Sequence, residues 1–285
     1  MRWQMGRRSD NIDDRRGVGM GGVAIGGGLG TVVILVLALF FGLDPSAILQ
    51  GNDPSLSTEP PAGQQRAAPP EEEQLKDFVS VVLADTEDTW NEIFRRMNRE
   101  YRDPQLVLFS GAVRSACGAA QSAVGPFYCP ADQKVYLDLG FFRELRDRFG
   151  APGEFAQAYV IAHEIGHHVQ QQLGISDRVR SMQSRGGERQ SNALSVRLEL
   201  QADCFAGVWA NNANRSRQIL EQGDVEAGLN AAAAIGDDRL QGQSRGYVVP
   251  DAFTHGSSAQ RVRWFTRGLE TGAVRQCDTF GTRDL

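Results

Sequence analysis

The chain has 285 residues, 41% hydrophobic and 23% charged, with a formal net charge of −5. Those proportions are ordinary for a globular protein and leave room for one large domain or two small ones. The acidic balance gives no reason to expect nucleic acid as a partner.

In chain order, the first segment that stands out is not globular. Gly22 to Leu43 reads GVAIGGGLGTVVILVLALFFGL, without a charge. As a helix it would span roughly 33 Å, the thickness of a bilayer core. Arg2, Arg7, Arg8, Arg15 and Arg16 precede it, and no Lys or Arg follows until Arg66. The positive-inside rule then predicts a single-pass inner-membrane protein. Residues 1–21 form a cytoplasmic segment, 22–43 a transmembrane helix, and the rest lies in the periplasm or outside the cell. A cleaved signal peptide fits less well, because the run exceeds a usual h-region and no clear A-x-A site follows. Residues 44–73, rich in Pro, Gly, Ser and acids without apolar periodicity, read as a linker.

The folded unit is expected over residues 74–285. Leu75 to Tyr101 places Phe78, Val81, Val82, Trp90, Ile93 and Phe94 at helical spacing. Gln105–Gly111 and Lys134–Leu139 read as strands of a small antiparallel sheet flanking a Gly- and Cys-containing loop. A helix follows from Glu154, closed by Gly174. Ile175 to Ser191 is polar and reads as a loop. Asn192–Asn212 is a second buried helix, Val225–Ile235 a short Ala-rich one, and Ser257–Thr271 another ending at Gly272. The order is mostly helical with a few strands, an α+β domain.

His163, Glu164, Ile165, Gly166 and His167 spell H-E-x-x-H. On a helix, residues i and i+4 share a face, so both imidazoles can reach one metal ion. Glu164 beside them can take a proton from metal-bound water without being a ligand. Unpartnered histidines in an apolar helix would be costly, which points to one catalytic Zn²⁺. His168 lies roughly 100° around the helix and reads as a packing or hydrogen-bonding residue. A catalytic zinc wants three protein ligands and an open position. The pattern H-E-x-x-H-x-x-G-x-x-H fails, because Gln170 and Leu173 stand where its Gly and His would be. The stretch LELQADCFAG offers Glu199 as third ligand and Asp203, one turn on, as an acceptor behind a ligand histidine. His255 is the first candidate to stabilise the oxyanion and Tyr247 the second.

The sequence resembles the bacterial neutral zinc metallopeptidase family. The motifs that carry the likeness are the opening MRW with its arginines, FYCPADQKVYLDLGFF, YVIAHEIGHHVQ, LELQADCFAG and THGSSAQRVRWFTRG. The likeness implies a membrane-anchored, gluzincin-like (zincin-like) domain. It implies His163 and His167 as metal histidines, Glu164 as base and Glu199 as metal carboxylate. The expected activity is hydrolysis of peptide or protein substrates, as an endopeptidase before an exopeptidase. The rival readings are a non-catalytic zinc-stabilised envelope scaffold and a zinc hydrolase of a non-protein, cell-wall amide. Lys134–Leu139 is a candidate for pairing with an extended substrate.

The cysteines are Cys117, Cys129, Cys204 and Cys277. An even number in an oxidising compartment suggests two disulfides, and three pairings are possible. Cys117–Cys129 with Cys204–Cys277 is the favoured arrangement. The second would contribute on the order of 3–4 kcal/mol in the chain-entropy model.

Overall fold

The structure is a computed structural model and describes residues 1–17, 69–122 and 125–285. The amino-terminal half supplies β1 (Ile12–Asp14), α1 (Pro70–Arg96), β2 (Gln105–Phe109), β3 (Ala112–Ser115), β4 (Gly118–Gln121), β5 (Phe127–Cys129) and β6 (Lys134–Asp138). Then come α2 (Gly140–Asp147), α3 (Glu154–Gln172), α4 (Ile175–Gln183), α5 (Glu188–Arg217), α6 (Asp224–Ala234), α7 (Asp237–Arg245) and α8 (Ser258–Thr271). The class is α+β and mostly helical.

Local sequence explains the main helices. In α1, Glu71–Glu73 occupy the first turn and Arg95 and Arg96 the last, complementing the helix dipole. Its buried stripe includes Phe78, Val82, Trp90 and Phe94. Helix α8 opens with a reciprocal capping box between Ser257 and Gln260 and closes on Gly272 in the left-handed conformation. Helix α3 is apolar nearly all round and is buried between α1, α5 and α6, with β5 across one end.

The sheet differs from expectation. It has four strands in the order β1-β2-β6-β5, and a separate hairpin pairs β3 with β4. Gln105–Phe109 and Lys134–Asp138 pair in parallel, not antiparallel. The chain between them makes the β3–β4 hairpin and β5, which gives the crossover length that a parallel pair needs. Only β5 runs antiparallel to β6. The expected loop from Ile175 to Ser191 contains α4 and the start of α5. Helix α4 sets Ile175, Val179 and Met182 at i, i+4 and i+7, but only Val179 is fully buried, and this short stripe is easily lost in a polar stretch. The linker reading of residues 44–73 also ends early, since α1 begins at Pro70 with proline in its first turn.

The predicted single-pass topology is corrected here. Residues 22–43 lie outside the described residues, but the segments flanking them meet. Strand β1 pairs in parallel with β2 of the domain's own sheet. Arg16 donates to Glu73 at 2.7 Å, and Lys76 reaches Asp14 at 2.9 Å. One crossing would put these flanks on opposite sides of a hydrocarbon layer about 30 Å thick. Residues 1–17 are therefore not a cytoplasmic segment apart from the domain. Their arginines are partners of its carboxylates: Arg7 with Glu87 and Asp88, Arg8 with Asp77, and Arg16 with Glu73. Among the described residues no helix is long and apolar enough to cross a membrane.

Trp3 fixes this arrangement. It is 5% exposed, meets Phe78 edge-on at 5.5 Å and donates from its indole nitrogen to Glu154 at 2.8 Å. Trp3→Ala should destabilise the protein by about 3 kcal/mol in urea unfolding. An unchanged midpoint and slope would place residues 1–17 outside the cooperative fold.

Candidate metal centre

Helix α3 presents His163, Glu164 and His167 toward α5. The two helices approach closely at Gly166, where an added Cβ would lie 3.0 Å from the Cα and carbonyl oxygen of Ala202. Any side chain there would push α5 away. With glycine in place, Glu199, one turn before Ala202, reaches both imidazoles. His163 Nε2 is 3.2 Å from one carboxylate oxygen of Glu199, and His167 Nε2 is 3.4 Å from the other. One donor atom from each of the three residues lies within 4.8 Å of the others.

The rims of both imidazoles are fixed from behind. Asp203 is fully buried and accepts from His163 Nδ1 at 2.8 Å. It also accepts from the Tyr159 hydroxyl at 2.5 Å and from the Arg261 guanidinium at 2.9 Å on each oxygen. His167 Nδ1 donates to Gln170 Oε1 at 2.9 Å. In the neutral imidazoles, with both Nδ1 atoms donating, both Nε2 atoms turn lone pairs toward a carboxylate. Lone pairs facing lone pairs repel unless a proton or a metal cation lies between them. Two bonds of about 2.1 Å at a tetrahedral angle span roughly 3.4 Å, the Nε2-to-carboxylate spacing of a tetrahedral zinc site. The donor set and its spacing therefore fit zinc.

The protonation equilibria express the same demand for positive charge. Burial opposes the His163 imidazolium, but the Asp203 and Glu199 carboxylates together outweigh it and push His163 up to about 10. Burial also works against His167, and Glu199 raises it. Burial would raise Glu199, yet the two imidazoles beside it hold it well below the usual carboxylate range. Glu164 behaves oppositely. It is 9% exposed, and burial raises its carboxyl against the pull of His163, His167 and the Tyr128 amide.

These groups open on a cavity of about 230 Å³. Phe127 and Tyr128 of β5, Phe141 of α2, Phe149, Val160 of α3 and Leu240 of α7 give it apolar walls. His255 lines the same cavity. Its Nδ1 faces Asp237 Oδ1 at 3.2 Å, while Asp237 Oδ2 accepts backbone N–H groups from Thr254, His255 and Gly256. Burial lowers His255, and the Asp237 and Glu199 carboxylates outweigh it and raise it.

The structure thus brings His163, Glu164, His167, Glu199, Asp203 and His255 together. It does not bring Tyr247, which is 62% exposed and absent from the cavity wall. Strand β6 cannot pair with a substrate either, because β2 and β5 occupy both of its edges; the edge strand beside the site is β5. His168 is buried, within hydrogen-bonding distance of the Arg102 carbonyl and the Tyr128 hydroxyl. Both expected disulfides, Cys117–Cys129 and Cys204–Cys277, are present.

Sequence reasoning missed Asp237, Arg261, Tyr159 and Gln170. Arg261 carried a signal: it is a charge one turn before Trp264 and Phe265, on the face that α8 buries. Asp237 carried none, since an acid in the first turn of a short helix is commonplace. Arg261→Leu would leave Asp203 buried without its strongest partner and should cost about 3–5 kcal/mol in denaturant unfolding. A loss below about 1 kcal/mol would mean that Asp203 is satisfied without it.

Three comparisons bear on this site. A family model described as "Putative neutral zinc metallopeptidase" matches residues 1–280. The "Uncharacterized protein YpfJ" of Escherichia coli K12 is 50% identical over 292 residues, spanning 99% of each chain. The "Uncharacterized protein Rv2575" of Mycobacterium tuberculosis H37Rv is 44% identical over 218 residues, 73% of each chain. No solved structure is significantly similar to the chain.

Proposed function

The chain belongs to the neutral zinc metallopeptidase family, and we propose that it hydrolyses peptide bonds with one zinc ion held by His163, His167 and Glu199. The observation that carries this reading is Glu164, a buried carboxylate beside the His–His–Glu triangle at the wall of an apolar cavity. A pure binding role would not require a base there. When bound, zinc supplies a Lewis acid that acidifies water and polarises the carbonyl under attack.

The remaining work falls to the chain's own groups. Glu164 takes a proton from the attacking water and delivers it to the leaving amine. Its burial suits both halves, since a raised carboxyl holds a proton more readily than an exposed one. His255, oriented by Asp237, donates to the oxygen on which negative charge develops. Strand β5 ends the sheet beside the cavity, and its outer edge offers backbone groups to an extended peptide. Pairing of that kind holds chain on both sides of the reacting bond, which favours an endopeptidase. The apolar walls suit a substrate with a large apolar side chain next to that bond. We read the arrangement of β5, the H-E-x-x-H helix and Glu199 on the later helix α5 as zincin-like.

The test compares wild type with Glu164→Gln for zinc content and for cleavage of a peptide library. Equal zinc with cleavage about 10²- to 10⁴-fold slower in the variant is expected. Cleavage sites in wild type should be enriched in large apolar residues. Equal zinc with no cleavage by either protein would overturn the peptidase reading in favour of a scaffold or a non-peptide amide.

A further inference from the structure

One of the two metal histidines is held by a chain of buried amides that leads out of the site. Gln170 is fully buried, and its Nε2 donates to the Leu198 carbonyl at 2.7 Å and to Gln201 Oε1 at 3.2 Å. Both acceptors are oxygens, and a carbonyl cannot donate. The amide therefore has only one orientation, with Oε1 facing His167 Nδ1. Gln201 is 5% exposed, and its Nε2 donates to the Cys277 carbonyl at 2.8 Å. That carbonyl fixes the second amide in the same way.

Cys277 belongs to the carboxy-terminal strap that lies along α5. Three features fasten the strap: the Cys204–Cys277 disulfide, a bond from Thr279 Oγ1 to the Arg197 carbonyl at 2.7 Å, and donation from the Arg197 guanidinium to the Thr279 and Thr282 carbonyls. The path from Cys277 through Gln201 and Gln170 to His167 is continuous, with every link a hydrogen bond whose direction is set by the carbonyl at its end.

We propose that Gln170 and Gln201 are positioning residues through which the disulfide-anchored strap holds His167 in its Nδ1–H form, with Nε2 presented to the metal. This inference rests on the zinc reading of the centre. His163 needs no such device, because Asp203 is a permanent acceptor. An amide can accept or donate, so the form of His167 depends on what the Gln170 Nε2 finds on its other side. The Leu198 carbonyl and, through Gln201, the strap make that choice together.

The test measures the zinc dissociation constant of the full chain by competition with a chromophoric chelator, with near-ultraviolet circular dichroism to check the fold. Gln170→Met should raise the constant about 10- to 100-fold. Gln201→Met touches neither metal nor histidine and should raise it about 2- to 30-fold. Because the links act in series, adding Gln201→Met to Gln170→Met should change nothing further, whereas two independent packing defects would multiply. Replacing Cys204 and Cys277 by alanine should likewise weaken zinc in the wild-type background and leave Gln170→Met unaltered. An unchanged constant in Gln170→Met, or multiplicative effects in the double variant, overturns the relay. Wild type that binds no zinc overturns the metal centre itself, a different result.

Discussion

Asp203 sits on α5 with no exposed surface, and its two oxygens gather groups from two other helices: Tyr159 and His163 from α3, and Arg261 from α8. Removing a carboxylate from water costs several kcal/mol, and only a full set of partners offsets it. The three helices must therefore adopt one register, because any slip leaves a charge stranded. Glycine makes the register sterically possible. A Cβ on Gly268 would lie within 1.9 Å of the Cys204 carbonyl oxygen, and one on Gly207 within 2.2 Å of the Phe265 carbonyl oxygen, so α5 and α8 cross with backbones in contact. Gly166 does the same for α3 and α5. Small residues set how close the helices come, and the buried ion pair sets how they are turned.

That frame leaves a defined electrical balance in the cavity. Arg261 answers Asp203, and Asp237 is answered by three backbone amides and His255. Glu164 and Glu199 remain, facing two imidazoles whose Nδ1 protons are already committed. Two carboxylates whose neighbouring positive charge comes from imidazoles that can give up a proton describe a site suited to a divalent metal. The asymmetry between the carboxylates is equally informative: Glu199 is held low by its neighbours, while burial raises Glu164. That separation suits the proposed roles of Glu199 as ligand and Glu164 as base.

The sequence was legible where its signals were local. H-E-x-x-H, the Glu199/Asp203 pair and the boundaries of α3 and α8 follow from periodicity and end signals. It misled where a pattern had two physical explanations. Five arginines before an apolar run suit the inner face of a membrane, but they equally suit a surface rich in carboxylates, and Arg16 beside Glu73 shows the second use. Strand β1 has three residues, two of them acidic, so no alternation announced it. The parallel pairing of β2 with β6 was hidden because a strand's own residues do not state its direction. Asp237 and Gln170 were invisible for another reason: their roles exist only once distant segments have come together.

The described fold also fixes an order of assembly. The Arg2 amide donates to the Ile219 carbonyl, so this one contact waits until Ile219 has been made. At about 5–20 residues per second that is a wait of roughly 10–40 s on a ribosome. During it, β1 can already pair with β2 and Trp3 can already meet Phe78. The opening segment therefore closes in two stages, first around Trp3 and β1 and last at Arg2.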